Sequence, residues 1–320
     1  MSEIAFDRER MSRRAWELAR RGVWVGTSSW KYPGWMGQVY DRSRYVHRGR
    51  FSESRFNRLC LREYAEVFPT VCVDAAYYKF PDETSVTGLM EATPPEFRFA
   101  FKVTDEITIK RFPRLDRFGE RAGQPNPNFL NADLFATAFL GPFAGWRDRV
   151  ALFLFEFSRF WPGDFERGRD FVAALDRFLG ELPSGWPYGV EIRNRTFLHP
   201  EYFATLARHG VTHVLNNWDA MPSIEEQLRL EGVLTRPDRV AARFLLRPGR
   251  RYQQAVDRFS PYDRVQEPNE SGRRAGATLI REGLAVPGRQ TYLYVNNRFE
   301  GNAPGTITAM LDRAGVWEGS

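Results

Sequence analysis

Eight short apolar runs punctuate the chain, at residues 23–27, 71–76, 97–103, 150–157, 188–192, 211–215, 240–246 and 292–295. Each is too short for a buried helix and rich enough in branched and aromatic side chains to be a strand. Between them the apolar positions recur every three or four residues. Helices are predicted over 54–68, 83–92, 131–140, 169–182, 200–209, 223–230, 275–283 and 303–317. Strands that alternate with helices favour βα units and a parallel sheet. Eight such units predict an α/β fold of the (β/α)8 TIM-barrel type. An open doubly wound sheet is the rival, but GTSSWKYPG after the first run is not the GxGxxG nucleotide fingerprint. Residues 1–22 read as an N-terminal helical extension and 23–320 as one barrel domain. Three long connections, 31–52, 105–127 and 247–272, follow strands, so a barrel would carry them on its C-terminal face.

Polar residues that break this pattern single out candidates for chemistry. Strand side chains alternate between the lumen and the helix layer, and the helix layer demands apolar groups. A charge near a strand end is therefore predicted to point into the mouth. This selects Asp74, Lys102, Glu156, Glu191, Arg193, Arg243 and Asn297. Glu191 and Arg193 stand two apart and share one face with Gly189. Such groups either neutralise one another as a lining or form a polar site. In the second case Glu191 or Glu156 would act as acid/base while Lys102 and Arg193 grip an anion or oxyanion. The last run leads into YLYVNNRFEGNAPG, where Asn296, Asn297 and Arg298 follow a strand and Gly301 precedes the final helix. Paired amides and glycines at such a junction can hold an anion, although both are also ordinary turn residues. Trp30, Tyr32, Trp35, Tyr77, Tyr78, Phe160, Trp161 and Trp218 cluster after the strands. They would pack the loops or stack on a sugar or base.

Composition narrows the choices. The 320 residues are 42% hydrophobic and 15% aromatic, enough for a large core. The net charge of +6 is spread along the chain without a polybasic block. The stretches 110–121 and 247–264 mix basic and aromatic residues, which keeps nucleic acid open as an alternative partner. Cys60 and Cys72 form no CxxC motif, so a zinc site of the usual kind is not predicted, and so few cysteines suit a reducing, cytoplasmic setting. Of the four histidines, His199 and His209 are predicted at the surface and His213 inside a strand. Glu156, Glu191 and Asp74 are a weak magnesium set, and no redox cofactor is implied. The charged N-terminus lacks the apolar core of a secretory signal, no run is long enough to span a membrane, and no GxSxG elbow is present.

Several phrases are similar to blocks of domain-of-unknown-function family 72, the YecE-like proteins: GTSSWKYPGW, TVCVDAAYYKFPDET, TPPEFRFAFKV, YGVEIRN and YLYVNNRFEGNAP, in that order from Gly26 to Pro304. The resemblance implies a TIM-type barrel and places Trp30, Lys102, Glu191, Arg193, Asn296, Asn297 and Gly301 on positions the family favours. It implies no reaction. The chain departs from the family pattern at Cys72, Asp74, Thr108-Ile109, Glu156 and Asn194, which removes two histidines from the presumed mouth.

The expectation is a barrel enzyme of hydrolase or isomerase/lyase type, acting on a small polar or anionic ligand. Glu191, Glu156 and Lys102 would be catalytic. Trp30, Asp74, Tyr78, Arg193, Arg243, Asn296, Asn297 and Gly301 would bind substrate. A nucleic-acid-binding protein and a non-catalytic barrel are the alternatives.

Overall fold

A computed structural model describes residues 6–317. Residues 1–5 of the N-terminal extension and 318–320 of the barrel domain lie outside the described residues. Among the described residues, eight parallel strands close into a barrel: β1 (Val23–Ser28), β2 (Thr70–Val73), β3 (Arg98–Lys102), β4 (Val150–Phe157), β5 (Tyr188–Ile192), β6 (Thr212–Asn217), β7 (Arg239–Phe244) and β8 (Gln290–Val295). Neighbours pair in sequence order, and β1 closes the ring by pairing with both β2 and β8. A small antiparallel hairpin, Val46–His47 with Arg50–Phe51, decorates the first long loop.

Alternation along each strand divides the core. Phe99 and Phe101 of β3, Phe153, Phe155 and Phe157 of β4, and Val190 and Ile192 of β5 face outward into the helix layer. Trp24, Cys72, Ala100, Leu152, Leu154, Val214, Ala241, Tyr292 and Tyr294 form a separate cluster inside the barrel. Each fully buried Phe or Leu contributes roughly 1.5–3 kcal/mol, so the phenylalanine layer around β4 is a large share of the driving force. Small residues fit the lumen: a Cβ on Gly189 would stand 2.7 Å from Leu152 Cδ2. The helix Arg8–Arg20 buries Met11, Ala15 and Leu18 in the outer core, and Asp7 caps its first turn.

Three sequence expectations change. The second strand stops at Val73, because Asp74 has helical backbone angles and opens the turn Ala75–Tyr78. The stretch 131–140 is a single α-turn, Ala132–Leu134, followed by a π-helical segment, Phe135–Leu140. The loop 247–272 holds the helix Tyr252–Phe259 and the start of the helix Glu270–Ala285.

Candidate functional site

The strand ends bring six charged side chains together in the mouth. β2 delivers Asp74 just past its end, β3 delivers Lys102, β4 Glu156, β5 Glu191 and then Arg193, and β7 Arg243. Glu156 and Glu191 are register partners on adjacent strands, which sets their carboxylates side by side. Alternation explains the rest. Lys102 is two residues from the lumen residue Ala100, Glu156 two from Leu154, and Arg243 two from Ala241.

The contacts form one network. Arg243 Nη1 donates to Glu156 Oε2 at 2.8 Å and to Glu191 Oε2 at 2.7 Å, and its Nη2 reaches Asp74 Oδ1 at 3.4 Å. Arg193 Nη2 stands 2.8 Å from Glu156 Oε2 and 2.6 Å from Glu191 Oε1. Lys102 Nζ is 3.0 Å from Glu156 Oε1 and 3.7 Å from the centre of the Tyr77 ring. The Arg193 guanidinium lies 3.8 Å over the Trp218 ring. Such cation–π contacts are worth about 0.5–2 kcal/mol and keep the long side chains in one orientation.

Exposure sorts the six by depth. Glu191 is sealed at 0%, Arg243 and Arg193 lie at 3% and 4%, Glu156 at 9%, Lys102 at 12%, and Asp74 opens to solvent at 31%. Burial pushes the Glu156 carboxyl up, but Arg193, Lys102 and Arg243 outweigh it and hold the group well below the usual carboxylate range. Burial likewise opposes the charge of Arg243, yet Glu191, Glu156 and Asp74 keep it protonated. Burial pushes the Cys72 thiol beneath the network up to about 12, so it is a neutral lining group. The Nε atoms of Arg193 and Arg243 are buried without a hydrogen-bond partner, so the network leaves donors unused.

The remaining sequence candidates lie elsewhere. Asn297 does not enter the lumen. Its Oδ1 accepts from Trp35 Nε1 at 3.1 Å and from Ala303 N at 2.8 Å, which ties the last helix to the first loop. The alternation rule fails there because the residue is past the strand, in the turn Asn297–Glu300. Asn296 caps that turn through Arg298 N at 3.0 Å. Gly301 has φ +108°, and a Cβ would stand 2.9 Å from the Arg264 carbonyl, so its freedom serves the loop's close approach. Trp30 packs in the outer core, and its backbone carbonyl accepts from Tyr40 Oη. Tyr78 is 65% exposed on the rim beside Arg117. His213 faces outward to Tyr202 Oη at 3.1 Å. Among the described residues no cluster of three His, Cys, Asp or Glu side chains is arranged to hold a metal ion. The alternation rule does not select Arg298, and its polar neighbours in NNRF are the signal the sequence offers for it.

Two clefts flank the centre. One, of about 610 Å³, runs between Tyr78, Asp105, Glu106, Arg117 and Arg121. The other, of about 570 Å³, is lined by Lys110, Arg111, Arg114, Arg159 and Trp161. The basic loop between them is partly neutralised: Arg117 pairs with Asp105 at 2.7 Å, and Arg121 pairs with Glu106. Among the described residues no helix is long and apolar enough to cross a membrane.

Known proteins agree with this architecture. A DUF72 family protein from Enterococcus faecalis V583 superposes with a TM-score of 0.60 at 20% identity, covering 92% of this chain and 95% of that one. A DUF72 family protein from Thermotoga maritima MSB8 does so with a TM-score of 0.58 at 20% identity, over 92% and 99%. At these identities the likeness shows the fold alone. The UPF0759 protein YecE of Escherichia coli K12 is 25% identical over 182 residues, which are 57% of this chain and 50% of YecE. The chain thus spans about half the length of the curated relatives it matches. The family described as "Protein of unknown function DUF72" matches residues 24–319, nearly the whole chain, and the protein belongs to that family.

Proposed function

We propose that this protein is an enzyme acting on a small polar or anionic substrate, carbohydrate- or phosphate-bearing, by carboxylate acid/base chemistry at the mouth of the barrel. One observation carries the reading: six acidic and basic side chains from five strands converge there, one layer above a lumen filled by Leu152, Leu154, Val214 and Ala241. Apolar filling would serve stability as well or better, because taking charges out of water costs several kcal/mol per ion. Charge held at such a cost, at the face where barrels keep their chemistry, favours function over lining.

The depth order suggests roles. Glu191, sealed between two guanidiniums, positions Arg193 and Arg243. Glu156, kept ionised, orients Lys102. Asp74 and Lys102, the most open members, meet the substrate: Asp74 as the general base and Lys102 as the cation beside the developing negative charge. The test is turnover of sugar phosphates and of nitrophenyl esters and glycosides. Asp74→Asn should lower kcat by about 10²- to 10⁴-fold with the fold intact. Undiminished turnover in both Asp74→Asn and Lys102→Ala removes the reading.

A second reading rests on the cleft that sets Lys110, Arg111, Arg114 and Arg159 around the 63% exposed Trp161. A nucleic-acid strand would stack a base there and lay phosphates on the arginines. It calls for binding that weakens steeply with salt and collapses when Arg111, Arg114 and Arg159 are neutralised.

A further inference from the structure

We propose that Arg298, at the end of β8, anchors a phosphate group of the ligand that enters the barrel mouth. This deepens the reading above and rests on it for the location of the reacting centre. The three cations of the centre are each committed to carboxylates. Arg298 differs. Among the described residues no carboxylate lies within ion-pair distance of it, and its Nε is buried without a hydrogen-bond partner. Its guanidinium rests 4.4 Å over the Tyr252 ring. Burial raises the nearby Tyr262 phenol, and Arg298 pulls it down.

The position belongs to the mouth. Tyr32 packs 4.9 Å from Trp35 and 5.6 Å from Tyr262. Burial raises its phenol to about 12, with Arg298 pulling it down and Asp74 pushing it up. The base of Arg298 is rigid. Asn296 N bonds to Phe244 O at 2.8 Å, Asn296 Oδ1 accepts from Arg298 N, and Asn297 is held by Trp35. A guanidinium fixed in this way loses little freedom when it grips an anion.

The surroundings favour a dianion. The loop after β7, which supplies Tyr252 and Tyr262, also sets Arg247, Arg250 and Arg258 around the single carboxylate Glu267. Asp257, on the same loop, is engaged by Gln253 at 2.7 Å. Positive charge thus exceeds negative along the β7–β8 side, whereas the six groups of the centre balance. Loops after the seventh and eighth strands are also where barrels commonly hold phosphate. A phosphate there would satisfy the planar fork of Arg298 with two parallel hydrogen bonds.

Calorimetric titration of the full chain with inorganic phosphate at low salt tests this. The parent should bind, Arg298→Ala should bind about tenfold or more weakly, and Arg298→Lys should fall between. Lys102→Ala should keep most of the affinity. Arg298→Lys, which preserves charge and bulk, covers the case in which Arg298→Ala fails to fold. Equal affinity in parent and Arg298→Ala overturns the proposal, as does a parent that binds no phosphate at tens of millimolar. Loss of binding in Lys102→Ala with retention in Arg298→Ala would overturn it and leave the mouth reading standing. Loss only in the Arg298 variants, with turnover indifferent to both Asp74→Asn and Lys102→Ala, would support it and remove that reading.

Discussion

Two buried acid–base clusters in this molecule use the same chemistry to opposite ends. Behind β8, Glu300 is fully buried and its oxygens are satisfied. It accepts from Asn269 N at 2.5 Å, from Arg273 Nε and Nη2 at 2.9 and 2.8 Å, and from Thr306 Oγ1 at 2.9 Å. That is a closed joint between helices and the end of the barrel. In the mouth, two arginines and a lysine share Glu156 and Glu191, two guanidinium Nε atoms stay unused, and Asp74 opens to solvent. A joint is matched and sealed. A site is shared, over-supplied with donors and open on one side.

The contrast makes graded demands. Glu300→Ala should be the costliest change, about 3–5 kcal/mol in urea unfolding, because it takes the bidentate carboxylate away from a buried guanidinium. Glu191→Gln keeps the shape and leaves Arg193 and Arg243 on Glu156, so its cost should be smaller, about 1–3 kcal/mol. If Glu191 positions the arginines, that variant should also lose turnover. A Glu191→Gln cost equal to that of Glu300→Ala would erase the distinction.

Acid separates the two clusters from a third buried group. Burial lowers His213 to about 3, so it is neutral in the fold and charges on unfolding below its ordinary value. The unfolded state then binds the extra proton, and stability should fall by about 1.4 kcal/mol per pH unit from roughly pH 6.5 downward. His213→Phe should flatten that slope between roughly pH 6.5 and 4.5 in denaturant titrations, above the range where carboxylates titrate. Glu156, depressed in the fold, contributes stability that is present above the unfolded carboxylate range and lost only below about pH 4. The smallest effect belongs to Asp74→Asn, which should change stability by less than about 1 kcal/mol because the group is partly solvated. A larger loss in thermal melts would move Asp74 from the open side of the site into its foundation.

Period-two alternation against a continuous apolar helix layer makes Asp74, Lys102, Glu156, Glu191, Arg193 and Arg243 legible from the amino-acid pattern, and the fold brings all six together. The same rule misplaces Asn297, which stands two residues past the end of β8 inside a helical turn, whereas Asp74 and Arg193 follow their strands directly. Trp30 is drawn toward the mouth by its neighbours in sequence, but Ser29 takes a positive φ of 78° and Trp30 packs outside the barrel.

The sequence by itself determined the eight strands, their parallel order and the lumen-facing charges, because each follows from local periodicity and short connections. Only the tertiary structure decided which charge is sealed and which is open. It also decided that, among the described residues, Arg298 stands without a carboxylate and that Gly301 serves a loop crossing. Those properties depend on residues such as Asp74 and Arg243, 169 positions apart, meeting at 3.4 Å. No local pattern encodes a distance of that kind.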